Sequence, residues 1–220
     1  RVRKAVDPPG RAMPDWMIFC RLARKMGYNM QYNSAGEVFD EITQLLPQYA
    51  GMSYDRLERE GIQWPCPDKD HPGTPVLHVG QFTKGKGTFI PEDYGGPGEL
   101  PDEEYPYILT TGRNLPQYNF GSMTRKTKAL EELDPEAFAE INPADAEEMG
   151  IEDGVWLKLT SRRGTVNIRA KHTDRSQKGT IFVPYHFVEA PINLLTFNNL
   201  DRLSRSPEYK VCSIKVEKLQ

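Results

Sequence analysis

Two stretches of the chain concentrate residue types that can bind an anionic ligand. The first is Thr110-Thr111-Gly112-Arg113-Asn114, which runs through Gln117-Tyr118-Asn119-Phe120 into Gly121-Ser122-Met123-Thr124-Arg125-Lys126-Thr127-Lys128. Small residues let a backbone approach an anion. Successive N–H groups and hydroxyls donate to phosphate oxygens, and Arg113 or Arg125 can add a bidentate clamp. The spacing matches neither the Walker loop nor the dinucleotide fingerprint, and the same composition suits an ordinary solvated basic loop. The second stretch comprises Pro184-Tyr185-His186-Phe187, Asn193-Leu194-Leu195-Thr196 and Tyr209-Lys210. A strand ending in such a cluster presents His, Asn and Lys at a barrel mouth, where ligands commonly bind. A histidine hydrogen-bonded within the structure and a turn asparagine are the plainer readings of His186 and Asn193.

Other constellations are poorer. Cys66, His71 and His78 offer three potential zinc ligands on a Pro-rich loop without a fourth, and His172 reads as a solvated strand end. No paired carboxylate stands out, and Ser, His and acidic residues are too scattered for a triad. Residue chemistry alone thus supports an anion-binding module and no reaction.

The elements that position these residues fall in two regions. Residues 13–27 read as a helix with Pro14 in the first turn, apolar residues at helical spacing and Gly27 closing it. Ser34-Ala35-Gly36-Glu37 is a capping box for a second helix that stops at Pro47, and a weaker third runs over 53–60. From Trp64 to Pro101 the texture becomes Pro/Gly-rich, with short extended pieces expected at 76–79 and 88–90. Gly95–Pro101 marks the expected boundary, giving a helix-and-loop region over 1–101 and a β-rich domain over 102–220. Strands are expected at 107–111, 138–141, 155–160, 165–171, 180–183 and 210–216. A short helix over 142–150 carries Asn142 as cap, Pro143 at its first position and Gly150 at its end. Six short strands with one-turn helices between them suggest a closed β-barrel, because parallel crossovers in a doubly wound sheet need longer helices.

Composition narrows the class. The chain has 220 residues, 38% of them hydrophobic and 18 of them glycine, an ordinary globular balance that excludes whole-chain disorder. Lys and Arg number 28 against 31 Asp and Glu, so no nucleic-acid or membrane-surface module is indicated by charge. No apolar run is long enough for a transmembrane segment, and no export signal is visible, which leads to an expectation of a soluble, cytoplasmic protein. Three widely spaced cysteines without a CxxC suit a reducing compartment and cannot build an iron–sulfur site within this chain. The first residue is Arg, which suggests a processed chain or a fragment.

Taken together, Tyr107–Arg113, Tyr118–Arg125, Glu140–Ala146, Gly150–Gly154, Ser161–Gly164 and Pro207–Cys212 resemble the molybdopterin-guanine-dinucleotide oxidoreductases. Among these, the similarity is to the catalytic alpha subunit of molybdenum- or tungsten-dependent formate dehydrogenases. Gln63–Pro67 and His71–Pro75 extend it to the first hundred residues. The resemblance implies a mixed α and β chain ending in a double-psi-type β-barrel, the molybdopterin dinucleotide-binding domain, preceded by the end of the upstream oxidoreductase domain. It implies a bis-molybdopterin guanine dinucleotide with Mo or W. Gly112, Arg113, Gln117, Asn119, Gly121, Ser122, Met123 and Thr124 would line its pterin and pyrophosphate side. His186, Asn193, Thr196, Tyr209 and Lys210 would meet the pterin or guanine ends. Iron–sulfur clusters would lie in the remainder of the catalytic subunit or in iron–sulfur partner subunits, and no catalytic residue falls in this segment. Many relatives carry His where Asn119 stands and a small residue at Phe120.

Overall fold

A computed structural model describes residues 1–219 as two compact units, residues 1–91 and 92–219. The first unit contains α1 (Asp15–Lys25), α2 (Ala35–Leu45) and α3 (Tyr54–Arg59). Their starts follow local chemistry. The Ser34 hydroxyl accepts from the Glu37 N–H at 3.2 Å, and Ser53 does the same for Arg56 at 3.2 Å. The Glu37 carboxylate reaches back to the Asn33 N–H at 2.8 Å, one residue before the position a reciprocal capping box uses.

Behind α3 the loop 61–75 folds around Cys66, which is fully buried. Its thiol lies 3.3 Å from the His71 carbonyl, and the Arg56 guanidinium donates to the same carbonyl at 2.9 Å. The extended pieces expected at 76–79 and 88–90 are not strands: Val79 is 80% and Phe89 99% exposed, and a lone Phe82–Gly85 bridge is the pairing in this stretch among the described residues. Apolar β-formers without a ladder partner do not make a sheet.

The second unit holds β1 (Tyr107–Gly112), β2 (Phe138–Ile141), β3 (Trp156–Ser161), β4 (Gly164–His172), β5 (Thr180–Pro184) and β6 (Cys212–Lys218), with α4 (Lys128–Glu131) and α5 (Pro143–Met149) between strands. They form a closed barrel in the order β1-β5-β2-β4-β3-β6, closed by β6 on β1. The β1–β5 and β2–β4 pairs are parallel and the rest antiparallel. Alternate residues fill the interior: Leu109 on β1, Leu157 and Leu159 on β3, Ile168 on β4, Ile181 and Val183 on β5 and Ile214 on β6 are all fully buried. The short helix α5 forms as its sequence dictates, with the Asn142 side chain accepting from the Ala144 N–H at 2.9 Å and Gly150 in the left-handed region at φ 63°.

β3 and β4 are the one pair of sequence neighbours that are also ladder neighbours, joined by the tight turn at Arg162-Arg163. Every other connection must cross an end of the barrel. The register then gathers the C-terminal ends of β1, β3 and β5 with the N-terminal ends of β4 and β6 at one mouth.

Residues 92–101 lie within the barrel unit, ahead of the division expected at 101/102. The reason is Glu99, whose buried carboxylate accepts from Arg162 at 2.7 Å, from Arg163 at 2.8 Å and from the Ser213 N–H at 3.2 Å. Strand β6 begins at Cys212 rather than Lys210, because Tyr209 and Lys210 are occupied at the end of β1. Cys212 is fully buried, and burial pushes its thiol up to about 11. Iodoacetamide at pH 8 is therefore expected to leave Cys66 and Cys212 unmodified in the folded protein and to label both after unfolding, as peptide mass mapping would show; labelling of native Cys212 would contradict the closed barrel.

Candidate cofactor site

The mouth carries most of the candidate residues, in two states. Some are consumed by the fold. Gln117 is buried, and its side-chain carbonyl accepts from the Thr124 hydroxyl at 2.6 Å while its amide donates to the Leu130 carbonyl at 3.4 Å. The Thr124 hydroxyl also accepts from the Tyr118 N–H at 3.1 Å. These two side chains therefore shape the 117–124 loop from within. The Thr196 hydroxyl donates to the Asn193 carbonyl at 3.0 Å, leaving the Asn193 side chain exposed on a short 3-10 turn. Lys210 donates to the Thr111 carbonyl, and the Thr111 hydroxyl donates to the Tyr209 carbonyl at 3.0 Å. Those contacts staple 209–210 across the end of β1.

Others are free to meet a ligand. Arg113 is exposed and has no carboxylate partner among the described residues; its Nε donates to the Tyr185 hydroxyl at 3.2 Å. Gly112, just before it, lies under the Phe182 ring, so a Cβ there would stand 2.4 Å from Phe182 Cε2. Arg113 lines one side of an open cleft of about 510 Å³ that runs past Thr110, Asn114, Arg175 and Phe182. Ser122 and Met123 are exposed, and Asn119 takes a left-handed turn at φ 52°. Tyr209 keeps 42% exposure.

His186 differs from all of these. It is 4% exposed, its ring centre lies 3.9 Å from that of Phe187 at a tilt of 37°, and neither ring nitrogen has a hydrogen-bond partner among the described residues. Burial, and next the positive charge of Arg125, push the imidazole below the usual histidine value, so it is neutral at physiological pH.

The charge around the mouth is selective. Arg162 and Arg163 are paired with Glu99, and Arg162 also with Asp102. Arg125 is spent on Glu131 and Glu189, at 2.9 Å each, so it is not the free clamp that its place in the basic loop suggests. Arg113 is the free guanidinium at the end of β1. Tyr185, part of the second stretch but not among the residues the family resemblance implies, joins the site through the fold. The parallel register sets Pro184 opposite Gly112, which brings the next residue, Tyr185, beside Arg113, with the Phe120 ring 4.9 Å from its own. An exposed bidentate cation, hydroxyl and N–H donors on a glycine-containing loop and a buried, unpartnered imidazole form a donor set suited to a phosphorylated heterocycle.

Comparison with known proteins decides what kind of module this is. The family model for the molydopterin dinucleotide binding domain matches residues 107–213, the whole mouth included. Residues 107–213 are similar to that domain. The chain is 47% identical to the F420-dependent formate dehydrogenase subunit alpha of Methanocaldococcus jannaschii, over 99% of its own length and 33% of that protein. It is 40% identical to the assimilatory nitrate reductase catalytic subunit of Bacillus subtilis, over 98% of its own length and 32% of the relative. The chain thus spans about a third of the length of the curated relatives it matches. The acetylene hydratase of Pelobacter acetylenicus has the same fold, with a TM-score of 0.68 at 18% identity, covering 99% of this chain and 34% of that one. The matched segment takes in β1 to β5 and the start of β6, and so every candidate residue from Gly112 to Lys210. No helix among the described residues is long and apolar enough to cross a membrane.

Proposed function

We propose that this chain is the cofactor-holding part of a formate dehydrogenase catalytic subunit, in which the expected boundary at 101/102 moves to the start of the barrel unit, so that 1–91 end the upstream oxidoreductase domain and the residues from Glu92 on form the dinucleotide-binding domain. When bound, a bis-molybdopterin guanine dinucleotide with Mo or W supplies the two-electron chemistry that interconverts formate and carbon dioxide, the electrons passing to iron–sulfur clusters in the remainder of the subunit and its partner subunits. The residues of this chain bind and orient. Arg113, steadied by Tyr185, meets the pyrophosphate with its planar fork, while the Ser122 hydroxyl and the N–H groups of 122–124 add neutral donors; the Gly121 N–H is already spent on the Tyr118 carbonyl at 3.0 Å. Gly112 makes room for the Phe182 ring at the end of β1, beside Arg113. His186, neutral, offers one donor and one acceptor to a heterocycle edge, and Asn193, Tyr209 and the Lys210 staple border the same mouth. Three free, buried thiols fit a reducing, cytoplasmic location.

The observation that carries this reading is the 47% identity to a formate dehydrogenase alpha subunit over 99% of the chain. The 40% identity to a nitrate reductase favours a second reading, the sister activity on the same cofactor. The purified complex is expected to reduce a viologen dye with formate and not to oxidise reduced viologen with nitrate. The reverse pair of results would replace the first reading with the second. Neither activity, in a complex free of molybdenum and tungsten, would point to a barrel that scaffolds without cofactor.

A further inference from the structure

We propose that Arg125 is the positioning residue of the mouth: bridging Glu131 and Glu189 across the Phe187 ring, it locks the 121–132 loop to the 185–190 segment and holds His186 with both ring nitrogens available to the cofactor heterocycle. This rests on reading the mouth as the dinucleotide site. Arg125 donates to Glu131 through Nε at 3.2 Å and Nη2 at 2.9 Å, and to Glu189 through Nη1 at 2.9 Å and Nη2 at 3.0 Å. A guanidinium has five N–H donors, so little remains for a phosphate. Its planar carbon sits 5.2 Å from the centre of the Phe187 ring, and that ring in turn lies against the His186 ring, tilted by 37°. The sequence makes room for the side chain: a Cβ on Gly121, where φ is 69°, would stand 2.7 Å from Arg125 Cγ.

His186 is the group this frame serves. A buried imidazole without a partner is costly unless a ligand or water answers it. In the neutral form it has one donor and one acceptor, the complement of an amide edge in a heterocycle and not of a doubly charged pyrophosphate. The charged groups facing it are Arg125, which disfavours the imidazolium, and Asp134, Glu131 and Glu189, which favour it. Removing Arg125 would free two carboxylates and lose the cation in one step, so both changes raise the tendency of His186 to protonate.

The test uses the holo-complex and follows the guanine that stays with the protein through dialysis at a series of pH values. Arg125→Met and His186→Gln are each expected to speed cofactor loss about tenfold, the scale of one lost directional contact. The double variant is expected to lose cofactor no faster than His186→Gln alone, because the arginine acts through the histidine. Arg125→Met should also move the onset of loss to higher pH, which a merely structural role would not do, and Lys178→Met, which breaks a remote surface pair with Glu148, should change neither. Additive losses in the double variant, or retention unchanged by Arg125→Met, would overturn the proposal. Should Arg125→Met fail to fold, Glu189→Gln weakens one arm alone: a several-fold faster loss that vanishes in the His186→Gln background supports the proposal, and a loss that persists there refutes it. Absence of guanine from the unmodified complex would instead sink the underlying reading of the mouth.

Discussion

Replacing Arg113 with alanine is expected to lower the guanine retained by the purified holo-complex about tenfold or more, with the thermal unfolding of the barrel unchanged. Arg113 is exposed, and its one side-chain bond is the 3.2 Å contact to the Tyr185 hydroxyl, so its removal leaves no buried group unpaired. Its contribution falls on the ligand instead. A charge-assisted contact to a pyrophosphate is worth about 1.5–3 kcal/mol, which corresponds to about 10–100-fold in retention. Arg113→Lys should retain an intermediate amount, because an ammonium supplies the charge without the planar fork. Guanine released by acid hydrolysis, measured beside a melting curve, separates loss of ligand from loss of fold. Unchanged guanine in Arg113→Ala would show that the anion is bound elsewhere.

Glu99→Ala should have the opposite profile, a large loss of stability that begins with the fold. The carboxylate is 8% exposed and holds Arg162, Arg163 and the Ser213 N–H together, joining residues ahead of the barrel to the β3–β4 turn and the start of β6. Its removal leaves the partly buried Arg163 without its carboxylate and is expected to cost about 2–4 kcal/mol, read by urea denaturation. The same residue gives a sign for acid sensitivity. Burial raises the Glu99 carboxyl, but the bonds from Arg163 and Arg162 and from Ser213 outweigh it and hold the group below its usual value. Its contribution is therefore complete above the unfolded value of about 4.3 and is lost as the pH falls through the lower folded value. Stability of the wild type should decline with acidification below about pH 4, and Glu99→Gln should flatten that decline. A Glu99→Gln variant with an unaltered acid limb would remove Glu99 from the explanation.

What the sequence made legible, and what it hid, divides along the range of the interactions. Helix α5 was readable because Asn142, Pro143 and Gly150 act on their immediate neighbours. The six strands were readable within two residues at each end because alternation records which side chains face in. Pairing was not readable: nothing local in Thr180–Pro184 says that its partners are β1 and β2, so the meeting of Tyr185 with Arg113 emerges with the register. Long-range charge is hidden for the same reason. Arg125 looked like a free cation in a basic loop, and its partner Glu189 lies 64 residues on. Gln117 and Thr124 carry the right chemistry for a ligand and spend it on each other. The ligand class entered through the ordered motifs of a family, since residue chemistry alone reached an anion-binding barrel and stopped.

The most direct measurement of the central claim is a density map of the holo-complex in which the mouth of this barrel is resolved. A dinucleotide is expected there, its pyrophosphate within hydrogen-bonding distance of the Arg113 guanidinium and a heterocycle edge meeting the two nitrogens of His186. A map in which Arg113 faces solvent or polypeptide, with His186 still unpartnered, would contradict it.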